Sequence, residues 1–225
     1  MKAARVIAVF TDRFPLLGPL VWILSVQYFA AQISVAAAWP DSHHYSWAHN
    51  LISDLGNTAC GPYAGRYVCS PQQGVMNASF VMLGVTMALG SLLIYQEFRR
   101  SRATLIGFSL MALAGFGTIL VGAFPENTIS QLHAIGAFLA LGIGNIGLIV
   151  LALAIKQARQ SFRVYTFLSG IVSLTAFVLF IAHAYLGLGP GTIERLASYP
   201  QTTWLILLGL YMSGTRLRAI TPRTA

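Results

Sequence analysis

The stretch LHAIGAFLALGIGNIGLIVLALAI, residues 132–155, decides the fold class of this 225-residue chain. Across it there is one ionisable side chain, His133, and one amide, Asn145. A hydrocarbon core of about 30 Å is crossed by about 20 apolar residues coiled as a helix, so this run spans a bilayer. Within it His133, Gly136, Ala137, Ala140, Gly144 and Gly147 share one stripe at i, i+3, i+4 and i+7 spacing. Small residues let another backbone approach, which makes the stripe a helix-packing face with His133 at its end. Gly107, Gly115, Thr118 and Gly122 form a similar series in the preceding run.

Four further runs are as long: Leu16 to Ala38, Val75 to Tyr95, Leu105 to Phe124 and Val164 to Leu188. A sixth, Thr202 to Gly214, is short and spans if its helix begins within Glu194 to Tyr199, with Pro200 kinking it or sitting in its first turn. The expectation is one all-α domain over residues 1–225, a transmembrane bundle of six helices at about 16–38, 75–95, 105–124, 132–155, 164–188 and 199–215. A mean hydropathy of +0.68 with 9% charged residues excludes a soluble globular domain, which has no core large enough to hide that much hydrocarbon. The first run follows a basic start and ends in SVAAAW, which resembles a signal-peptidase site. Its length exceeds that of a signal h-region, and Gln27 and Gln32 inside it suit a face packed on other helices, so it reads as a retained span.

Of the 14 Lys and Arg residues, only Arg66 and Arg195 fall on one side of these spans. Lys2, Arg5, Arg13, Arg99, Arg100, Arg102, Lys156, Arg159, Arg163, Arg216, Arg218 and Arg223 fall on the other. The positive-inside rule then puts both termini in the cytoplasm. The formal charge of +8 is a topology signal and an attraction to anionic membrane lipids, not a nucleic-acid footprint.

The long outer loop, Trp39 to Gly74, carries YSWAHNLISDLGNT at residues 45–58, where polar side chains crowd together in an otherwise apolar chain. Trp47, Leu51 and Leu55 recur every four residues and predict a short amphipathic helix on the outer surface, ended by Gly56. Cys60 and Cys69 lie in the same loop, in an oxidising compartment, and are expected to form a disulfide.

All five histidines and four of six acids belong to the outer side. His183 falls about 28 Å along the fifth span and His133 at a similar depth on the fourth. Ionisable groups at that depth cost free energy unless paired or hydrated, so they tend to mark a cavity. The candidate pocket comprises His49, Asn50, Ser53, Asp54, Asn77, His133, His183, Glu194 and Arg195, with Asp54, Ser53, His133 and Glu194 as the candidates for chemistry. Asp54 and Glu194 offer carboxylates and Arg195 a bidentate anion fork, while Ser53 and Asn77 offer hydrogen bonds.

NLISDLG after a first span, MNASF opening the second, FPENTISQLHAIGAF leading into the fourth and GTIERLASYPQTTW leading into the sixth resemble the prokaryotic integral membrane family catalogued as domain of unknown function 998. Ser53 to Gly56, Asn77, Phe124 with Pro125 and His133, and Glu194 with Arg195 match its elements. The resemblance implies a bacterial or archaeal cell membrane and supplies no activity.

Three function classes stay open. The first is a protein that binds a lipid headgroup, small solute or partner through the outer pocket. The second is a hydrolase acting on a lipid-type substrate, with zinc held by His49, Asp54, His133 and His183 and a bound water as nucleophile. The third is a redox carrier with haem between His133 and His183. A serine nucleophile at Ser53 lacks the strand-to-helix elbow motif and ranks below these.

Overall fold

The computed structural model describes residues 13–98, 101–156 and 158–220. Lys2, Arg5, Arg99, Arg100 and Arg223, and the side chains of Arg216 and Arg218, lie outside what is described.

Six long helices follow one another: α1 (Leu17–Ala37), α2 (Gln73–Tyr95), α3 (Arg102–Ala123), α4 (Ser130–Ala154), α5 (Gln160–Ile181) and α6 (Pro190–Ile220). The first five are each long and apolar enough to cross a membrane. Large apolar side chains such as Ile33, Met82, Phe116, Leu153 and Val178 stand exposed on their outer faces. A water-soluble protein does not display so much hydrocarbon, and the chain is a multi-pass membrane protein.

Local chemistry sets several helix ends. A capping box starts α3, in which the Ser101 hydroxyl accepts the Thr104 N–H and the Thr104 hydroxyl accepts the Ser101 N–H. Pro190 opens α6, where its missing N–H costs nothing. α5 ends at Ile181 rather than Leu188, because His183 and Leu186 adopt left-handed backbone with φ of 55° and 53°. The helix therefore stops before His183, which sits on the connecting turn instead of a spanning helix. α6 starts well before residue 199, so Glu194 and Arg195 occupy its first turns and Pro200 lies inside it.

Each helix packs along its neighbours in sequence, and α6 returns to pack on α1. From α2 onward short connections make successive helices antiparallel, and the six close into a ring. The helix-packing stripes behave as their composition predicts. A Cβ on Gly84 of α2 would stand 2.4 Å from the Gly115 carbonyl oxygen of α3, and one on Gly117 of α3 would stand 2.6 Å from that of Gly136 of α4. At one end of the ring, marked by Arg102, Lys156 and Arg163, aromatic side chains fill the interior. Trp22 packs on Trp204 and Phe108 at centroid distances of 5.3 and 6.2 Å, and Phe98 on Phe108 at 5.4 Å. The opposite end is covered by residues 38–72, which include a two-stranded antiparallel hairpin, β1 (Gly61–Tyr63) and β2 (Arg66–Val68). The Cys60–Cys69 disulfide, with an S–S distance of 1.98 Å, closes that hairpin.

Candidate functional site

The segment 45–58 forms no continuous amphipathic helix. It makes a turn at 47–50 and a single 3-10 turn at Ser53–Gly56. The reason is competition for backbone donors by side chains. The Leu51 N–H goes to Asp54 Oδ2 at 2.8 Å and the Ile52 N–H to Glu194 Oε2 of α6. With those donors committed to carboxylates, Ile52 and Leu55 turn inward and are buried, while Trp47 remains exposed.

Asp54 is wholly buried and belongs to a charge cluster within the covering loop. Arg66 on β2 grips it with two donors, Nε to Oδ2 at 2.7 Å and Nη2 to Oδ1, and Asn50 Nδ2 donates to Oδ2 at 3.1 Å. Glu126, from the α3–α4 connection, completes the cluster. It lies 3.7 Å from Arg66 Nη2, and its Oε1 accepts from Asn57 Nδ2 at 2.9 Å. Burial pushes the Glu126 carboxyl up to about 8, and the neighbouring Asp54 carboxylate adds to the effect. Removing one partner of a buried ion pair costs about 3–5 kcal/mol, so the cluster anchors the loop to the bundle.

Ser53, one residue away, faces the other direction. Its hydroxyl lies 3.1 Å from Glu194 Oε1 and 3.2 Å from His133 Nε2. His133 Nδ1 sits 2.9 Å from the Phe124 carbonyl oxygen, which can only accept, so Nδ1 carries the proton. In the neutral ring Nε2 is then an acceptor facing Ser53. Arg195 is no free anion fork. Its Nη1 donates to the carbonyl oxygens of Trp47, Asn50 and Gly191, Nε to the Tyr199 hydroxyl, and Nη2 to the Tyr45 hydroxyl. Its guanidinium also covers the Trp47 ring at 4.9 Å. Arg195 thus ties the loop to α6.

Below Ser53 the ring encloses a slot. Its cavity volume is ≈ 50 Å³. Ser53 and Glu194 stand at its head, Phe80, Leu83, Met87, Val121 and Leu141 form apolar walls, and Gln201 and Thr202 lie deeper. Beside the slot α4 widens into a π-turn at Phe138–Ile143, a distortion found often at functional sites. The Leu141 carbonyl receives the Asn145 amide, which also donates to Ala197 of α6. Gln201 is buried, and its Oε1 has no hydrogen-bond partner among the described residues.

Of the residues read from sequence, Ser53, His133 and Glu194 come together. Asn50 and Asp54 lie in the adjoining charge cluster, and Asn77 donates to the Gly56 carbonyl beneath the turn. His49 and His183 are exposed, and His183 pairs with the Tyr185 hydroxyl at 2.8 Å. The four candidate zinc ligands are therefore not gathered, and among the described residues no three of His, Cys, Asp and Glu could hold one ion. His183 stands on an exposed turn, whereas His133 is buried with its ring nitrogens facing Phe124 and Ser53. Sequence reasoning missed Arg66, Glu126 and Gln201. Arg66 had one signal, its place between the paired cysteines; Gln201 had another, as a polar side chain in an apolar span.

The family described as "Protein of unknown function (DUF998)" matches residues 23–211. No curated protein and no solved structure matches the chain.

Proposed function

The chain belongs to the DUF998 family, which carries no assigned activity, and from its geometry we propose that it binds a slender amphiphile in the slot within its helix ring. The apolar tail runs among Phe80, Leu83, Met87, Val121 and Leu141, and the polar end rests at Ser53 and Glu194 beneath the covering loop. The observation that carries this reading is an apolar-walled slot headed by a serine and a carboxylate in one place. Pockets for small ligands combine apolar walls with a few convergent polar groups in this way. The charge split adds a direction, since it orients the loop end and the head of the slot away from the cytoplasm. The slot's narrowness favours an unbranched hydrocarbon chain over a bulky ring system.

The test uses a fatty alcohol with a photoactivatable diazirine in its chain, added to the full-length protein in detergent. Labelling is expected within residues 80–87 and 137–141, and the Ala140→Phe variant, which fills the slot, is expected to lose it. Labelling confined to outward-facing side chains and unchanged in that variant removes the proposal.

A further inference from the structure

We propose that Ser53 is a nucleophile and His133 its general base, forming a catalytic site for the ester of an amphiphilic acyl lipid. The proposal rests on the slot reading for its substrate, because the slot brings an acyl chain to Ser53, but not for the reactivity of the serine itself.

Three observations carry it. Ser53 Oγ and His133 Nε2 are 3.2 Å apart, within the reach expected of a nucleophile and its base before substrate binds. The ring is oriented by a third group, since Nδ1–H donates to the Phe124 carbonyl at 2.9 Å and leaves the Nε2 lone pair aimed at the serine. A backbone carbonyl here takes the orienting role that a carboxylate takes in a Ser–His–Asp triad. Ser53 is also only half-buried and lines the slot, whereas His133 is buried behind it.

Ser53 has one hydroxyl proton and two acceptors around it, His133 Nε2 and Glu194 Oε1 at 3.1 Å. His133 Nε2 thus faces a hydroxyl that lines the slot. Glu194 also accepts the Ile52 N–H, so it is a positioning residue that holds the 3-10 turn against α6.

The chemistry balances with water as the second reactant. Ser53 Oγ bonds to the ester carbonyl carbon as its proton passes to His133 Nε2. The ester C–O bond then breaks and the departing alcohol takes that proton. Water next gives a proton to Nε2 while its oxygen bonds to the acyl carbon, the Oγ–C bond breaks, Ser53 recovers the proton, and a carboxylic acid is released.

Two probes separate this proposal from the binding reading. A small, tailless fluorophosphonate tests the serine without needing the slot. Mass spectrometry of the treated full-length protein is expected to find the adduct on Ser53, absent in Ser53→Ala and formed about 100-fold more slowly or worse in His133→Gln. A long-chain p-nitrophenyl ester then tests the acyl chain, and Ala140→Phe is expected to abolish its turnover. No adduct on Ser53, with the diazirine alcohol still labelling the slot, overturns the nucleophile and leaves the binding reading standing. An adduct on Ser53 with ester turnover indifferent to Ala140→Phe keeps the nucleophile and overturns the slot. Should Ser53→Ala fail to fold, Ser53→Cys serves in its place, because both native cysteines are bonded to each other and the new thiol is the only one. Alkylation of that thiol is expected to slow at least tenfold when His133→Gln is added, and an unchanged rate overturns the base assignment.

Discussion

At the scale of single residues, the polar crowding of residues 45–58 resolves into two jobs done by adjacent side chains. Asp54 turns into a buried cluster with Arg66 and Glu126, and Ser53 turns to His133 and Glu194 at the head of the slot. Neighbours along a tight turn point in different directions, so four letters of sequence could announce that the segment matters without dividing the roles. Glu126 gives the cluster a pH signature. A glutamate ordinarily loses its proton near 4.5, and Glu126 in the folded protein does so at about 8. Between those values the folded chain holds a proton that the unfolded chain has released. The contribution of this proton to stability is complete below about 4.5 and is lost as pH rises through about 8. Thermal midpoints of the detergent-solubilised protein should fall across that window, and Glu126→Gln should flatten the profile. A wild-type profile that rises instead would contradict the assignment.

At the scale of elements, the β1–β2 hairpin is a clamp whose purpose is to hold Arg66. The Cys60–Cys69 bond closes a short loop with a sequence separation of 9, and Arg66 pairs opposite Tyr63 near its tip. Closing a loop of that length stabilises it by about 3 kcal/mol on the chain-entropy account. The double substitution Cys60→Ser with Cys69→Ser should therefore loosen the covering loop first. Limited proteolysis is expected to cut within residues 59–70 at least tenfold faster, while the six helices keep their protection. Equal cleavage rates with and without the disulfide would show that the charge cluster alone holds the hairpin. The disulfide itself was readable from two cysteines in an outer loop, but the target of its clamp was not. Arg66 meets Glu126 across a gap of 60 residues in the chain, and no local pattern encodes that meeting.

At the scale of the whole molecule, the ring leaves aromatic packing at its basic end and the slot at its loop end, so the two ends differ in what they can admit. From the charge split we propose a direction for this polarity, with both termini in the cytoplasm. A reporter enzyme active only outside the cytoplasm, fused after Ala225, should stay inactive, and a cytoplasm-dependent one should be active. The reverse pattern would put the slot's head on the cytoplasmic side. The sequence by itself determined that this is a membrane bundle, because apolar length matched to bilayer thickness is a one-dimensional property legible in runs such as Leu132 to Ile155. The small-residue stripes were legible for the same reason, since helical periodicity converts spacing directly into a face. Only the tertiary structure decided which polar groups meet. It ended α5 at Ile181 and put His183 out of the set, aimed Arg195 into backbone carbonyls, and set Ser53 between His133 and Glu194. Those outcomes depend on left-handed turns, on carboxylates capturing backbone donors and on the closing of α6 against α1. The capture of the Ile52 N–H by Glu194 and the closing of α6 on α1 join residues far apart in the chain, which no local pattern encodes.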